Sequence, residues 1–517
     1  MLERELKFHV PAHKRVALEK ALRKLGAMEL PLHACYFDTE NYDLAKAKIA
    51  LRLRKEGEQW VQTIKTPGPD ELSRVEINHP RTEPTLDLTV YHGTHIGRTL
   101  AQLEHPLVLR YETLVNRLVL KKQAKAGAIE FAYDQGMIKA GALELPLCEL
   151  ELEQVSGSTD YLFTQAQQWL KQHGLILDLR SKAERGDALA RIACDAKQPD
   201  PAPQQSPPSR SGYEALRKPR RASAVTLKAA PTLDAAYRLC ANDCMNQIIR
   251  NATFLAGVDS TDAVPAVHVE YTHQLRVGIR RIRSCWKFFG KWVDIDETTL
   301  SAQLRDYFSL LGQARDNDVI GLVITPRLIS AGMPELTLPS PAIHADHTQA
   351  LAASTEFQAT LLTLLHHLVA VEGTAIATEK PNIGKLLSKR LNKRLKRICR
   401  QGTHFQQLAV DEQHSLRKLV KGLRYSMEFS ASLLAGKSFD RLRNALIDAQ
   451  HTLGDLNDLY VAHDYYQPIS ADQPQALFAV GWLRAMQTQK QAQAQTEFTR
   501  LAKAGRFKAA KLPQGKN

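Results

Sequence analysis

The feature that most restricts the fold of this chain is a period-two alternation that puts charged residues, strand after strand, on one face. Glu3, Glu5 and Lys7 lie two apart, with Leu2, Leu6 and Phe8 between them or beside them. Successive strand side chains point to opposite faces, so the three charges share a face and the apolar residues lie opposite. The pattern recurs in Leu51-Arg52-Leu53-Arg54, at Thr63 and Lys65, at Arg74 and Glu76, and at Glu149, Glu151 and Glu153. One such strand is an ordinary amphipathic strand with its charges in water. A whole series of them predicts a closed sheet, its lumen lined by acids and bases and its apolar exterior covered by helices.

Strand-like runs are predicted at 3–10, 34–38, 48–56, 58–66, 72–79, 107–113, 115–122, 128–134, 137–140 and 147–156. Helical periods occupy 12–26 and 159–173. Many strands with few helices indicate an antiparallel barrel or sandwich. Asp134-Gln135-Gly136 reads as a hairpin turn, because glycine after a polar pair favours one, with Asp134 free to line the lumen. From 196 to 232 prolines accumulate among Ser, Lys and Arg and apolar periodicity is lost, which predicts a linker. From 233 to 507 long helical periods take over, and 508–517 is a basic tail. The expected class is α+β: a tunnel domain over 1–195, the linker, then an all-α domain.

The formal net charge of +14 calls for acidic partners. Seven cysteines without a Cys-x-x-Cys spacing suggest no zinc or disulfide framework, and buried thiols in a reducing compartment. No apolar leader and no run of 18 apolar residues is present. The expected location is therefore the cytoplasm, with no membrane partner.

Acids and bases interleaved in one lumen suit a triphosphate. Its several negative charges need Lys and Arg donors, and clustered Glu supply hard oxygen ligands for Mg²⁺ or Mn²⁺. The motif Glu3-x-Glu5-x-Lys7 resembles the signature of the CYTH superfamily, the triphosphate tunnel metalloenzymes. Tyr36-Phe37-Asp38-Thr39, Leu51-Arg52-Leu53-Arg54, Thr63-Ile64-Lys65, Arg74-x-Glu76, Asp134-Gln135-Gly136 and Ser181-Lys182-Ala183-Glu184-Arg185-Gly186 follow in family order over about 1–190. The resemblance implies an eight-stranded antiparallel tunnel and a metal-dependent hydrolase of tripolyphosphate. It implies Glu3, Glu5, Glu149, Glu151 and Glu153 as candidate metal ligands. Glu3, Glu5, Lys7 and Lys65 become candidate catalytic groups. Arg52, Arg54, Arg74, Arg117, Lys139, Lys182 and Arg185 become phosphate-binding groups, with Arg110 as the alternative to Arg117. Ser181-Lys182 can also be read as a helix cap bearing a solvated lysine.

The second half contains a repeat. His273, Arg276, Arg280 and Arg283 are spaced three, four and three apart, and His414, Arg417, Lys421 and Arg424 repeat the spacing, so each set shares a helix face. About forty residues after each comes a related turn, Leu311-Gly312 with Asp316 and Asp318, and Leu453-Gly454 with Asp455 and Asp458. A further stripe, including Lys389, Lys393 and Arg397, has no acid from Lys385 to Arg400. These repeats resemble the CHAD domain. The resemblance implies two pseudo-repeated helical bundles that bind polyphosphate, and an association with polyphosphate granules. Three functions compete: an inorganic triphosphatase; an organic triphosphate enzyme of the same fold, acting on thiamine triphosphate or cyclising ATP, for which Trp60 and Tyr36 would have to supply a base platform; and a non-enzymatic polyphosphate binder. No base-reading motif suggests a specific nucleic acid partner, and the oligomeric state is left open.

Overall fold

The computed structural model describes residues 2–195, 216–227, 230, 232–261, 263–293, 298–338, 344–369 and 382–510. Most of the expected linker, and residues 511–517 of the expected tail, lie outside these. The chain forms two compact units. The first comprises Met1–Arg220, Ile249–Tyr271 and Gln349–Glu372; the second comprises Arg221–Ile248, Thr272–Thr348 and Gly373–Asn517.

In the first unit the strands are β1 (Leu2–His9), β2 (Met28–Asp38), β3 (Ala50–Glu56), β4 (Gln59–Pro67), β5 (Ser73–Arg81), β6 (Val108–Ala124), β7 (Gly127–Ala140), β8 (Leu143–Gly157) and the two-residue β9 (Ile176–Leu177). Their order is β5-β4-β3-β2-β6-β7-β8-β1-β9, all pairings are antiparallel, and β5 also pairs with β1. That last pairing, Leu2–Arg4 against Ser73–Val75, closes eight strands into a barrel. Outward residues such as Leu6, Phe8, Leu150 and Leu152 are fully buried. The helix Thr159–His173 packs along this wall, its N-terminus capped by Ser158, whose Oγ accepts from Tyr161 N, and its end set by Gly174 at φ 60°.

Two expectations are corrected here. Residues 107–113 and 115–122 are one strand, and so are 128–134 and 137–140. Asp134-Gln135-Gly136 is therefore not a hairpin turn but the middle of β7. A Cβ on Gly136 would lie 1.9 Å from the Leu114 carbonyl oxygen, so glycine serves close approach of β6 rather than chain reversal.

In the second unit the fold is helical. In Ile383–Gly402 the residues Leu387, Leu391, Leu395 and Ile398 form the buried stripe, and Asn382 caps the start by accepting from Lys385 N. The helices Pro265–Phe289 (from Thr272 onward) and Val410–Ser430 carry the repeated basic motifs. The expected turns at Gly312 and Gly454 are absent. Both glycines sit inside helices, Thr298–Val319 and Lys437–Asp472. A mid-helix glycine costs only about 1 kcal/mol relative to alanine, which neighbouring packing overrides. Among the described residues no helix is long and apolar enough to cross a membrane.

Candidate active site and basic cavity

Inside the barrel the alternation turns Glu3, Glu5 and Lys7 of β1 toward the same lumen as Arg52, Arg54, Lys65, Glu76, Arg117, Asp134, Glu149 and Glu151. Lys7 pairs with Glu5 (2.6 Å) and Glu151 (2.7 Å). Lys65 pairs with Glu3 (2.8 Å) and Glu76 (2.6 Å), and Arg52 reaches Glu76 at 3.4 Å. Arg117 donates from Nε and Nη2 to the two oxygens of Asp134, each at 2.7 Å, and from Nη2 to Glu151 at 3.0 Å. This places Arg117 in the lumen. Arg110 instead lies outside, over the Tyr42 ring.

The helix Lys182–Asp195 follows Ser181, whose Oγ accepts from Glu184 N at 3.1 Å. The serine caps the helix, but the lysine is not solvated. Lys182 Nζ sits among Asp134 (2.8 Å), Glu151 (3.0 Å) and Glu149. The helix body packs on the apolar part of the lumen, with Leu189 and Ala190 against Tyr36, Tyr111, Ile138 and Leu147. A Cβ on Gly186 would lie 2.1 Å from the Tyr111 ring, so this approach requires glycine.

The charges shape one another. Burial pushes the Glu3 carboxyl up to about 8, against the pull of Lys65. Against the same burial penalty, its hydrogen bond with Glu3, together with Lys65 and Arg52, holds Glu76 well below the carboxylate range. Burial raises Glu149, while Lys182, Lys7 and Arg117 overcome burial and keep Glu151 ionised. Burial and the adjacent Arg52 and Arg117 pull Arg54 down to about 10, a sign of crowded guanidinium groups.

Among the described residues one cluster inside the barrel has metal-ligand spacing: Asp134, Glu149 and Glu151, all buried, with one oxygen from each within 4.8 Å of the others. An all-carboxylate donor set fits a hard divalent cation. A second cluster, His33, Cys35 and Glu112, lies on the opposite face of β2 and β6.

The predicted residues do not all converge. Glu3 and Glu5 share the lumen but are tied to Lys65 and Lys7, outside the carboxylate trio. Glu153 stands opposite Glu5 and Glu130, and burial together with Glu130 raises its carboxyl. Arg74 folds back, donating to the carbonyls of Ser73 (2.8 Å) and Glu71 (3.2 Å). Lys139 is a correction. It is one residue out of phase with Asp134 and Ile138, so it leaves the lumen and pairs with Glu144 at 2.7 Å. Arg185 is buried behind Glu149 (3.8 Å) and donates to Asp259 (3.0 Å) and the Pro146 carbonyl (3.0 Å). Sequence reasoning left Asp134 out of the ligand set and missed Glu130. Their spacing of four puts both on one face of β7, a signal already present within the expected strand 128–134.

In the second unit a cavity of about 1110 Å³ is lined by His273, Arg276, Arg280, Arg283, Arg397, His414, Arg417, Lys421 and Arg424. The two repeated helix faces thus meet. Lys389 and Lys393 are corrections: both are exposed and neither lines the cavity, whereas Arg394, one residue beyond Lys393, does. Asp455 and Asp458 line it as well. The side chains of Asp316 and Asp318 lie outside the described residues. Arg276 packs over the Phe308 ring at 4.7 Å. Burial, then Arg280 and Arg417, pull the Lys421 ammonium down to about 6.

The fold and the two charged concavities define a tunnel-barrel domain followed by a basic helical domain. Residues 1–186 match the CYTH domain model and residues 258–467 the CHAD domain model. The chain therefore carries a CYTH domain followed by a CHAD domain. The inorganic triphosphatase of Haemophilus influenzae is 31% identical over 195 residues, 36% of this chain and 54% of that protein, so the match spans about half of that relative. Among solved structures, the CHAD domain from the plant Ricinus communis is 26% identical, covering 57% of this chain and 99% of that one with a TM-score of 0.43. A Hippeastrum protein described as an adenylyl cyclase with a dominant triphosphatase activity is 17% identical over 35% of this chain and 93% of that one, with a TM-score of 0.26.

Proposed function

We propose that the barrel hydrolyses inorganic tripolyphosphate with a bound Mg²⁺ or Mn²⁺, and that the helical cavity binds polyphosphate. The observation that carries the first half is the juxtaposition of the buried trio Asp134, Glu149 and Glu151 with the crowded guanidinium groups of Arg52, Arg54 and Arg117. A receptor for polyanions needs the cations but not the trio. Asp134, Glu149 and Glu151 would hold the cation, with Glu3, Glu5 and Glu153 as carboxylates nearby in the lumen. The bound cation would polarise a phosphoryl group and lower the pKa of a water.

The remaining work falls to side chains of this chain. Arg52, Arg54 and Arg117 would grip phosphate oxygens, where planar guanidinium donors match the geometry. Lys7 and Lys65 would neutralise charge developing on the transferred phosphoryl group. Lys182 stands among the three carboxylates and would turn to phosphate when a cation takes its place. Arg74, at the same inward face as Glu76, would join the outer phosphate contacts.

Tripolyphosphate is favoured over an organic triphosphate by the aromatic residues. Tyr36 stacks on Tyr111 at 4.6 Å inside the apolar packing, and Trp60 alternates with the inward Val61 and Thr63 and so points outward. Neither offers a base platform in the lumen. Seven free cysteines suit a reducing cytoplasm.

The test is phosphate release from tripolyphosphate, ATP, thiamine triphosphate and long-chain polyphosphate, with Mg²⁺, Mn²⁺ or EDTA. The expected result is metal-dependent release mainly from tripolyphosphate, lost in Glu151→Gln. No release from any substrate, with tight polyphosphate binding retained, would make the barrel a receptor and overturn the enzymatic reading.

A further inference from the structure

Beyond the helix Leu233–Leu255 the chain turns at Gly257, whose φ is 105°, and again at Asp259, where φ is 56°. An aspartate tolerates this left-handed backbone better than most residues. The turn directs its carboxylate to two arginines of the barrel domain. Asp259 Oδ2 accepts from Arg180 Nη1 at 2.8 Å, and Oδ1 accepts from Arg185 Nη2 at 3.0 Å. Arg180 is also held by Asp178 through two hydrogen bonds, at 2.9 and 2.7 Å. Two cations and two anions thus balance in a partly buried site. The same segment is anchored by Thr253 Oγ1, which donates to the Leu177 carbonyl at 2.7 Å.

Arg185 Nη1 meanwhile stands 3.8 Å from Glu149 Oε2, too far for a hydrogen bond but within reach of a small side-chain movement. Glu149 is one of the three clustered carboxylates. An arginine that closed on it would form a charge-assisted hydrogen bond and occupy an oxygen that a divalent cation needs.

We propose that Asp259 is a positioning residue for the barrel site: it holds Arg185 back from Glu149 and so keeps that carboxylate available to a divalent cation. The inference rests on the proposed metal-dependent reading of the lumen. It assigns to a residue 74 positions after Arg185 in the chain an indirect part, through that arginine, in the affinity of the tunnel for its metal. Residues 249–271 then belong to the barrel in function as well as in packing.

The experiment measures Mn²⁺ affinity by calorimetry on the full chain, together with the Mn²⁺ concentration for half-maximal tripolyphosphate cleavage. Wild type is compared with Asp259→Asn, Arg185→Met and the double variant. Asp259→Asn is expected to weaken Mn²⁺ binding about tenfold, the scale of losing an outer-shell partner, with kcat at saturating Mn²⁺ much less affected. In the Arg185→Met background the same change is expected to do nothing further, because the arginine through which it acts is gone. Unchanged Mn²⁺ affinity in Asp259→Asn, or additive losses in the double variant, would overturn the inference while leaving the metal-dependent reading intact. Should Asp259→Asn not fold, Arg185→Met alone decides: affinity at or above wild type supports the inference, and weaker affinity overturns it. Absence of Mn²⁺ binding by the wild type overturns both.

Discussion

The barrel lumen and the helical cavity both gather cations, but they balance them differently. In the lumen Lys7, Lys65, Arg52, Arg117 and Lys182 each pair with a carboxylate within 3.4 Å. In the cavity Arg280 and Arg417 press on Lys421, with Asp458 as the opposing charge. A balanced interior can be buried without a ligand, and it can exchange its internal ion pairs for a metal and a phosphate chain. An interior whose lining cations outnumber its lining acids attracts a polyanion. The first arrangement suits chemistry at one place; the second suits capture along a chain.

Breaking the balance of the lumen has the largest expected effect. Glu151 neutralises Lys7, Arg117 and Lys182, so Glu151→Gln should reduce tripolyphosphate hydrolysis by at least about a hundredfold, since even outer-shell changes cost 10–100-fold. Polyphosphate binding in the cavity should stay at its wild-type level. A parallel loss of both would mean that the two sites do not act separately. Lys65→Ala should lower kcat by about 10²-fold, in the range for removing one electrostatic stabiliser.

The apolar part of the lumen should respond through stability. Gly186→Ala puts a methyl group into the Tyr111 ring and should cost about 1–3 kcal/mol. The measurement is a thermal melt of the full chain, and an unchanged melt would mean that the helix Lys182–Asp195 can shift without loss.

In the cavity, Arg280→Ala should reduce the slope of log affinity against log salt for polyphosphate by roughly one, as expected for one lost phosphate contact. Tripolyphosphate hydrolysis should not change. A salt-independent affinity would contradict capture by charge.

Lys421 couples the cavity to a proton. The folded state holds Lys421 at about 6 against 10.5 for an ordinary lysine. Between these values the unfolded chain binds more protons than the folded one. Stability should therefore rise with pH across this window and fall as pH drops toward 6. Lys421→Met should flatten that part of the pH–stability curve. Polyphosphate binding near pH 8 should take up about one proton, read by calorimetry in buffers of different ionisation enthalpy.

Much of this was legible from local spacing. Glu3, Glu5 and Lys7 share a face because strands repeat every two residues, and Arg276, Arg280, Arg417 and Lys421 share faces because helices repeat every 3.6. The failures mark the limit of that rule. Lys139 entered through the resemblance alone, and the uninterrupted strand β7 sets it one residue out of phase with Asp134 and Ile138, outside the lumen. Lys389 and Lys393 were chosen from a stripe whose neighbours Arg394 and Arg397 turn into the cavity. Periodicity shows that a helix has a basic face but not which part of it meets a partner helix.

By itself, the sequence determined the inventory of charges, their parity along each element and the switch from strand to helix near residue 233. Only the tertiary structure decided which of those charges meet. Asp134, Glu149 and Glu151 come together through the register of β7 against β8, and Lys182 joins them through a helix packed on the lumen. Asp259 reaches Arg180 and Arg185 through a turn that local pattern does not mark as part of the barrel. The physical reason is that alternation and helical pitch are properties of neighbouring residues, while register, closure and long-range ion pairing depend on how the whole buried surface is shared.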